Sequence, residues 1–432
     1  MLRCDRLRCA VTDAAAPLDA PFDALRAAGP GARGSVARVG IATVLTAVCG
    51  YAVLYLAARD LEPAGFSVFA VFWGAFGLFT GAANGLLQEA TREVRSAAYV
   101  PTPGGPHTRP MLVAAGVGAA AAAAIAVTSP LWAAHVFTGS TALSVTLLAA
   151  GLGGFCLHAT LLGMLAGVGG WTQYGSLMVT DAAIRVAIAA ATFVLGWGLA
   201  GFLWATVAGA VAWVLLLVFS PTARSAARLR TPGGVSSFLR GASHSIAAAG
   251  ASAVLVMGFP VLLKATSGEL GAAGGVVILA VTLTRAPLLV PLTAMQGNLI
   301  AYFVDHRGAR LRALLAPAAL VIGVGAVGVL VAGLIGPWLI RTAFGTEYET
   351  GGPLLAWLTA GAVSVALLTL TGAATVAAAL HRAYSVGWVG ATVAAGALLT
   401  LPLDLPARTV VALLCGPMVG IAVHTAALAR AD

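Results

Sequence analysis

"LTRAPLLVPL", residues 283–292, places an arginine and two prolines inside an apolar run. The run extends over residues 272–300, and a membrane-spanning helix needs about 20 apolar residues. Arg285 lies near its middle and cannot lose its charge. Pro287 and Pro291 are expected to break or kink the helix, which a span tolerates where it lines a cavity or packs on protein. The stretch therefore predicts a transmembrane helix that faces an aqueous, anion-receiving cavity.

The composition of the whole chain extends this prediction to most of its length. The 432 residues are 60% hydrophobic and 9% charged, whereas a soluble domain carries about 25% charged residues. We therefore predict an all-α polytopic membrane protein with about 12 transmembrane helices. The predicted spans are residues 38–58, 65–87, 111–128, 142–163, 174–195, 199–219, 243–263, 272–300, 313–333, 353–377, 383–401 and 407–428.

The formal charge of +9 is unevenly distributed over the loops. In a twelve-span arrangement one side carries most of the arginines, including those of the N-terminal tail and of the central loop 220–242, while the other side has no arginine excess. Such arginines mark cytoplasmic loops, so both termini are predicted to be cytoplasmic and no nucleic-acid partner is expected. The alanine-rich, arginine-over-lysine composition suggests a bacterium with GC-rich DNA, and hence the bacterial cytoplasmic membrane.

An internal repeat with an offset of about 210 residues divides the chain. "SPLWAAHVFTGS" (129–140) resembles "GPWLIRTAFGTE" (336–347), and "GAANGLLQEATREVR" (81–95) resembles "TAMQGNLIAYFVDHR" (293–307). Repeats of this kind are typical of transporters with two parallel halves. We predict two six-helix pseudo-symmetric lobes: a basic disordered cytoplasmic tail (1–37), an N-terminal lobe (38–219), a cytoplasmic linker (220–242) and a C-terminal lobe (243–428).

Polar residues inside the predicted spans are candidates for a substrate site, because ionisable groups are costly there. Asp181 and Arg185 are four residues apart on one helix face, so they form either a structural ion pair or a substrate or ion relay in which Asp181 accepts a coupling proton. Arg285 either receives an anion or bonds to neighbouring carbonyls. The polar residues near the inner ends of the second and eighth spans suit either sugar hydroxyls or interhelical hydrogen bonds: Asn84, Gln88, Gln296 and Asn298.

Catalytic and cofactor-binding motifs are absent from the sequence. There is no P-loop, HExxH or GxSxG motif, so we expect neither an enzyme nor a cofactor, and no metal site. "GVGAVG" (323–328) matches a dinucleotide-binding pattern, but it lies inside an apolar span, where small residues serve helix packing. Gly77, Gly81 and Gly85 recur every four residues and predict a close helix contact.

Three segments resemble bacterial polysaccharide flippases of the multidrug/oligosaccharidyl-lipid/polysaccharide exporter superfamily, in particular actinobacterial members. These segments are "YLAARDLEPAGFSVFAVF" (55–72), "LTRAPLLVPLTAMQGNL" (283–299) and "LIRTAFGTEYETGGPLLAWL" (339–358). The resemblance implies a V-shaped, two-lobed fold whose cationic cavity takes a polyprenyl-pyrophosphate-linked glycan and flips it by alternating access for cell-envelope polysaccharide biosynthesis. Arg285 is then the cation that meets the phosphate, with membrane lipids as partners and H⁺ or Na⁺ as a coupling ion.

Other functions remain open from the sequence. An ion-coupled drug antiporter of the same superfamily is the nearest alternative, although it needs acidic cavity residues and Asp181 is the only deep one. The segment "QEATREVRSAAYVPTPGG" (88–105) lacks the loop motif that is characteristic of major-facilitator transporters, which argues against that class. Short outward loops argue against a lipid-sugar polymerase or ligase. The intramembrane Arg285 argues against a non-transporting scaffold.

Overall fold

The computed structural model describes residues 30–97, 106–138, 140–306 and 309–431, with side chains for all of these except 30–37, 294, 296–298, 301 and 310. The described chain is built almost entirely of helices. The prediction of an all-α polytopic membrane fold is therefore confirmed. The N-terminal tail predicted over residues 1–37 lies mostly outside the described residues.

The first half of the chain contains helices α1 to α6. They are α1 (Pro30–Ala97), α2 (Pro110–Val136), α3 (Thr141–Gly167), α4 (Trp171–Leu195), α5 (Gly198–Ala208) and α6 (Ala212–Phe219), with a 3₁₀ turn at Gly209–Val211 between the last two. A short helix α7 (Pro221–Ala227) follows. Strand β1 (His107–Thr108) pairs antiparallel with β2 (Thr231–Pro232), which ties the loop after α1 to the central linker.

The second half contains helices α8 to α16. They are α8 (Val235–Val256), α9 (Phe259–Ser267), α10 (Gly271–Ala294), α11 (Gln296–Asp305), α12 (Arg310–Leu334), α13 (Gly336–Phe344), α14 (Gly352–Ala377), α15 (His381–Leu399) and α16 (Leu405–Ala429). A 3₁₀ turn at Thr346–Tyr348 joins α13 to α14. Helix α10 continues through Pro287 and Pro291, so the expected break does not occur at either proline and comes instead at Met295.

The helices account for the twelve predicted spans. Within the described ranges, nine helices can cross a membrane by length and composition, and the pair α8 and α9, bent by 63°, makes a tenth. One of the nine is 60 residues long, about three times the length that a span needs. It is interrupted at Glu62, whose φ of 53° and ψ of 170° separate a first from a second span. Helix α15, with 19 residues, is not among these ten by the same criteria; it packs along α16 and α8 at the position of the eleventh predicted span.

Most helix contacts lie within one half of the chain. Helix α1 contacts α3, α4 and α5, while α14 contacts α10, α12 and α16. The second span, in the C-terminal part of α1, is also the main bridge to the other half, where it contacts α8 and α10. The boundaries predicted for the lobes and the linker stay predictions.

A row of glycines allows the second span to approach α8 closely. A Cβ atom added at Gly77 would lie 3.2 Å from the Cβ of Met257, and one at Gly81 would lie 2.6 Å from the Cβ of Ala253. A Cβ at Gly85 would collide with the backbone of α8 at Ile246. The close contact predicted from the spacing of these glycines is therefore confirmed, and it lies between the two halves of the molecule.

Candidate functional site

A cavity of about 330 Å³ lies between the first span and the α8–α10 region. The first half of the chain contributes Ala47, Gly50, Tyr51, Leu54 and Trp73, and the second half contributes residues 256–260 and one face of α10 from Ile278 to Thr293. Most of these side chains are apolar. Arg285 lines the cavity, as its position in an apolar span suggested. We refer to this space as the Arg285 cavity.

The bend between α8 and α9 creates the environment of Arg285. Helix α8 ends at Val256, and Pro260, four residues later, has no backbone N–H with which to continue the helical hydrogen bonding. The carbonyl oxygens of Leu255 and Val256 each accept a long hydrogen bond of 3.4 Å from Nη1 of Arg285. A local break in one span thus supplies acceptors for a cation on another.

An aromatic ring covers part of the Arg285 guanidinium, and two of its nitrogen atoms are buried without partners among the described residues. Its central carbon lies 4.9 Å from the centroid of the Phe259 ring, which is a cation–π distance. Arg285 is only 7% exposed, and its Nε and Nη2 atoms have no hydrogen-bond partner among the described residues. Such a buried and partly unsatisfied cation is costly, which favours an anionic ligand at this position.

The described lining of the Arg285 cavity carries positive charge and no negative charge. None of the described residues that line the Arg285 cavity is acidic. Tyr51, which reaches it from the first span, adds an uncharged hydroxyl group. The site can therefore hold an anion against Arg285, whereas a cation would meet an uncompensated positive charge.

Asp181 and Arg185 form an ion pair away from the Arg285 cavity. Nε and Nη2 of Arg185 donate to the two oxygens of Asp181, each over 3.0 Å. Nη1 donates to the carbonyl oxygen of Thr206, just before the 3₁₀ turn that interrupts the sixth span. The guanidinium also lies 5.3 Å from the centroid of the Phe76 ring. Each nitrogen of the Arg185 guanidinium therefore has a hydrogen-bond partner, as expected of the structural alternative.

Two other predicted site residues, Asn84 and Gln88, are not brought to the Arg285 cavity. Asn84 is half-buried and Gln88 is exposed, and neither lines it. The side chains of Gln296 and Asn298 lie outside the described residues. Next to Gln88, the buried Glu89 accepts hydrogen bonds from Arg92, with Nε to Oε2 at 3.0 Å.

Sequence reasoning missed three residues of this site: Tyr51, Trp73 and Phe259. A signal for one of them was present, because Gly258, Phe259 and Pro260 form a glycine-proline break inside an otherwise apolar span. No comparable signal marks Tyr51 or Trp73, whose role depends on how the first and second spans pack against α10. Only the folded chain brings them to Arg285.

Comparison with known proteins separates close relatives from distant fold neighbours. No family model matches the chain. Uncharacterized protein Rv3630 of Mycobacterium tuberculosis is 70% identical over 402 residues, which are 93% of each chain. Uncharacterized protein Mb3654 of Mycobacterium bovis is likewise 70% identical, and uncharacterized protein Rv1510 of M. tuberculosis is 68% identical, over the same shares. The chain belongs to this mycobacterial family.

Solved structures identify the fold that this family shares. An inward-facing multidrug resistance MATE family transporter of the MOP superfamily matches 89% of this chain and 95% of its own, with a TM-score of 0.68 and 14% identity. An outward-facing structure, also of a MATE family transporter, matches 94% and 96%, with a TM-score of 0.61 and 15% identity. The mycobacterial family therefore has the MATE transporter fold.

Proposed function

We propose that the protein flips a polyprenol-linked glycan across the bacterial cytoplasmic membrane by alternating access, as a transporter rather than an enzyme. The observation that carries this proposal is Arg285, a buried cation that lines a cavity between the two halves of the chain and whose Nε and Nη2 donors have no partner among the described residues. A guanidinium fork binds the oxygens of a phosphate group well. The MATE-type fold supports the proposal, because it is a transporter architecture.

The apolar lining of the Arg285 cavity favours an amphipathic substrate. Leu54, Val256, Ile278 and Leu289 surround the cation with hydrocarbon, which suits a ligand that joins a charged linkage to an apolar chain. A volume of about 330 Å³ is at the small end for a ligand pocket, so the glycan itself requires a more open state. The prenyl chain stays in the bilayer while the phosphate meets Arg285.

The second candidate is an ion-coupled drug antiporter, and the fold match to a multidrug resistance transporter favours it. The Arg285 cavity argues against a cationic drug, because its described lining residues include no carboxylate. Coupling to H⁺ or Na⁺ is part of either proposal. Both oxygens of Asp181 already accept hydrogen bonds from Arg185 in this state, as in a structural ion pair.

Lipid-linked glycans in host membranes distinguish the two candidates. We expect a deletion strain to accumulate polyprenol-linked intermediates that face the cytoplasm and to lose surface glycan. Complementation with wild-type protein should remove the accumulated intermediates and restore the surface glycan, whereas Arg285→Ala at equal membrane abundance should do neither. Unchanged lipid-linked glycans in the deletion strain, together with increased sensitivity to exported drugs, would favour the antiporter.

A further inference from the structure

The number of charges in the Arg285 cavity limits the charge of its ligand. Arg285 is the only charged residue among the described residues that line it. We infer, on the basis of the proposed function, that the linkage recognised here is a single phosphodiester, as in a polyprenyl monophosphate sugar, rather than a pyrophosphate. A phosphodiester carries one negative charge and forms a neutral pair with Arg285, whereas a pyrophosphate diester carries two.

The hydrogen bonds that Arg285 already makes leave enough of its donors for one phosphate group. Nη1 donates to the carbonyls of Leu255 and Val256, and Phe259 covers one face of the guanidinium. Nε and Nη2 are buried, have no partner among the described residues and together form one fork. Such a fork binds two oxygens of the same phosphate in a bidentate manner. A second phosphate would have to find its donors elsewhere.

The hydroxyl groups around Arg285 offer few donors to a second phosphate. Thr282 lines the cavity, but its hydroxyl donates to the carbonyl of Ile278 over 2.7 Å. Thr293 donates in the same way to Leu289 over 2.8 Å. Tyr51 and the indole N–H of Trp73 remain as neutral donors. A second negative charge would therefore be buried among apolar side chains without a cation, which costs several kcal/mol in proteins.

The other cations of the membrane-embedded chain are not positioned to help. Arg185 is bound to Asp181 and to the carbonyl of Thr206, and it does not line the cavity. Lys264, on α9, is buried but also lies outside the lining. The single positive charge thus defines a specificity for single-phosphate linkages.

Binding of matched probes tests this inference directly. The full-length protein in lipid nanodiscs is titrated with citronellyl phosphoryl glucose, citronellyl pyrophosphoryl glucose and the neutral citronellyl glucoside. The same titrations are run in EDTA and in Mg²⁺, so that a co-bound cation is detected. We expect the monophosphate probe to bind at least about tenfold more tightly than the pyrophosphate probe in both buffers, because one charge of the latter stays uncompensated. The neutral glucoside should bind most weakly.

Two variants and a control connect the preference to Arg285. Arg285→Gln should weaken binding of the monophosphate probe by about 10- to 100-fold, the loss expected for charged hydrogen bonds. Arg382→Gln, the same change at an exposed position, should have no effect. Thr282→Lys adds a second cation to the cavity lining, and it should reverse the preference in favour of pyrophosphate.

The outcomes separate the inference from the proposed function. If the wild-type protein binds the pyrophosphate probe as tightly as the monophosphate probe, or more tightly, in either buffer, and this binding is lost in Arg285→Gln, the single-phosphate inference is overturned and the flippase proposal stands. The single-phosphate inference is likewise overturned if Thr282→Lys is folded and leaves the preference unchanged. If neither phosphorylated probe binds more tightly than the neutral glucoside, both the inference and the flippase proposal fail.

Discussion

At the scale of single residues, two arginines in apolar spans have different surroundings. Arg185 is paired with a carboxylate and a carbonyl, whereas Arg285 has two long hydrogen bonds to carbonyls and two nitrogen atoms without a partner among the described residues. The sequence predicted the pairing of Asp181 with Arg185, because residues at i and i+4 are neighbours on a helix. It could not predict the partners of Arg285, which come from a different span and appear only when α8 packs beside α10.

The Asp181–Arg185 pair gives a prediction about stability. Asp181→Asn should destabilise the protein by about 3 to 5 kcal/mol, because it leaves a buried guanidinium without its counter-charge. The double variant Asp181→Asn/Arg185→Gln should recover much of this loss. Thermal unfolding in detergent, with wild type and both single variants in a double-mutant cycle, measures the coupling. Losses that simply add in the double variant would show that the two side chains do not stabilise each other.

The Phe259 ring gives a second prediction at this scale. Phe259→Leu keeps an apolar side chain at the bend but removes the ring that lies 4.9 Å from the Arg285 guanidinium. The cation–π contribution is about 0.5 to 2 kcal/mol, so binding of a prenyl phosphate probe should weaken by about 2- to 30-fold. Phe238→Leu, a similar change of a buried ring outside the cavity lining, is the control. Equal affinities in the wild type and Phe259→Leu would show that the ring does not contribute to phosphate binding.

At the scale of elements, the sequence predicted where helices lie better than where they break. The apolar stretches predicted most helix bounds to within a few residues, since length and hydropathy define a span, but α2 continues to Val136, beyond the predicted 128, and α8 begins at Val235, before the predicted 243. The breaks depend on context: α10 stays helical through Pro287 and Pro291, while the seventh span bends by 63° before Pro260. Neighbouring carbonyl acceptors and helix contacts decide which proline interrupts a span, and these are tertiary features.

The glycine row of the second span gives a prediction at this scale. Gly81→Ala should destabilise the protein by about 1 to 3 kcal/mol, because the new Cβ would lie 2.6 Å from that of Ala253 and would push α8 away. Gly116→Ala, on α2, has open space around the added methyl group and should cause no loss. Thermal unfolding of the two variants compares them directly. Equal melting temperatures would mean that α8 accommodates the added methyl group without any loss of stability.

At the scale of the whole molecule, helix α1 contacts the second half of the chain near its break at Glu62 and again near its C-terminal end. Near the break at Glu62, the carbonyl of Pro63 lies against Gly275 of α10. Tyr348, beyond α13, donates a hydrogen bond of 3.0 Å to the carbonyl of Ala58. Near the C-terminal end of α1, Gly85 lies against Ile246 of α8. Alternating access requires one of these contacts to separate while the other persists.

Removal of the hydrogen bond between Tyr348 and Ala58 tests the contact near the break at Glu62. Burial raises the pKa of Tyr348, so its hydroxyl stays protonated as a donor. Tyr348→Phe removes this bond and should weaken closure at that end by about 0.5 to 1.5 kcal/mol. Labelling of a cysteine introduced at Trp73 with a membrane-impermeant maleimide should become faster from that side of the membrane. Unchanged labelling rates would show that the bond does not hold the two halves together.

The most direct test of flipping through the Arg285 cavity is translocation by the purified protein in proteoliposomes. A fluorescent short-chain prenyl phosphoryl sugar is added, and the fraction protected from a membrane-impermeant quencher is followed over time. We predict rapid exchange of the probe across the membrane with wild type and with Arg382→Gln, and exchange at the rate of protein-free vesicles with Arg285→Gln. Translocation at the wild-type rate by a folded Arg285→Gln variant would contradict a role for this cavity in transport.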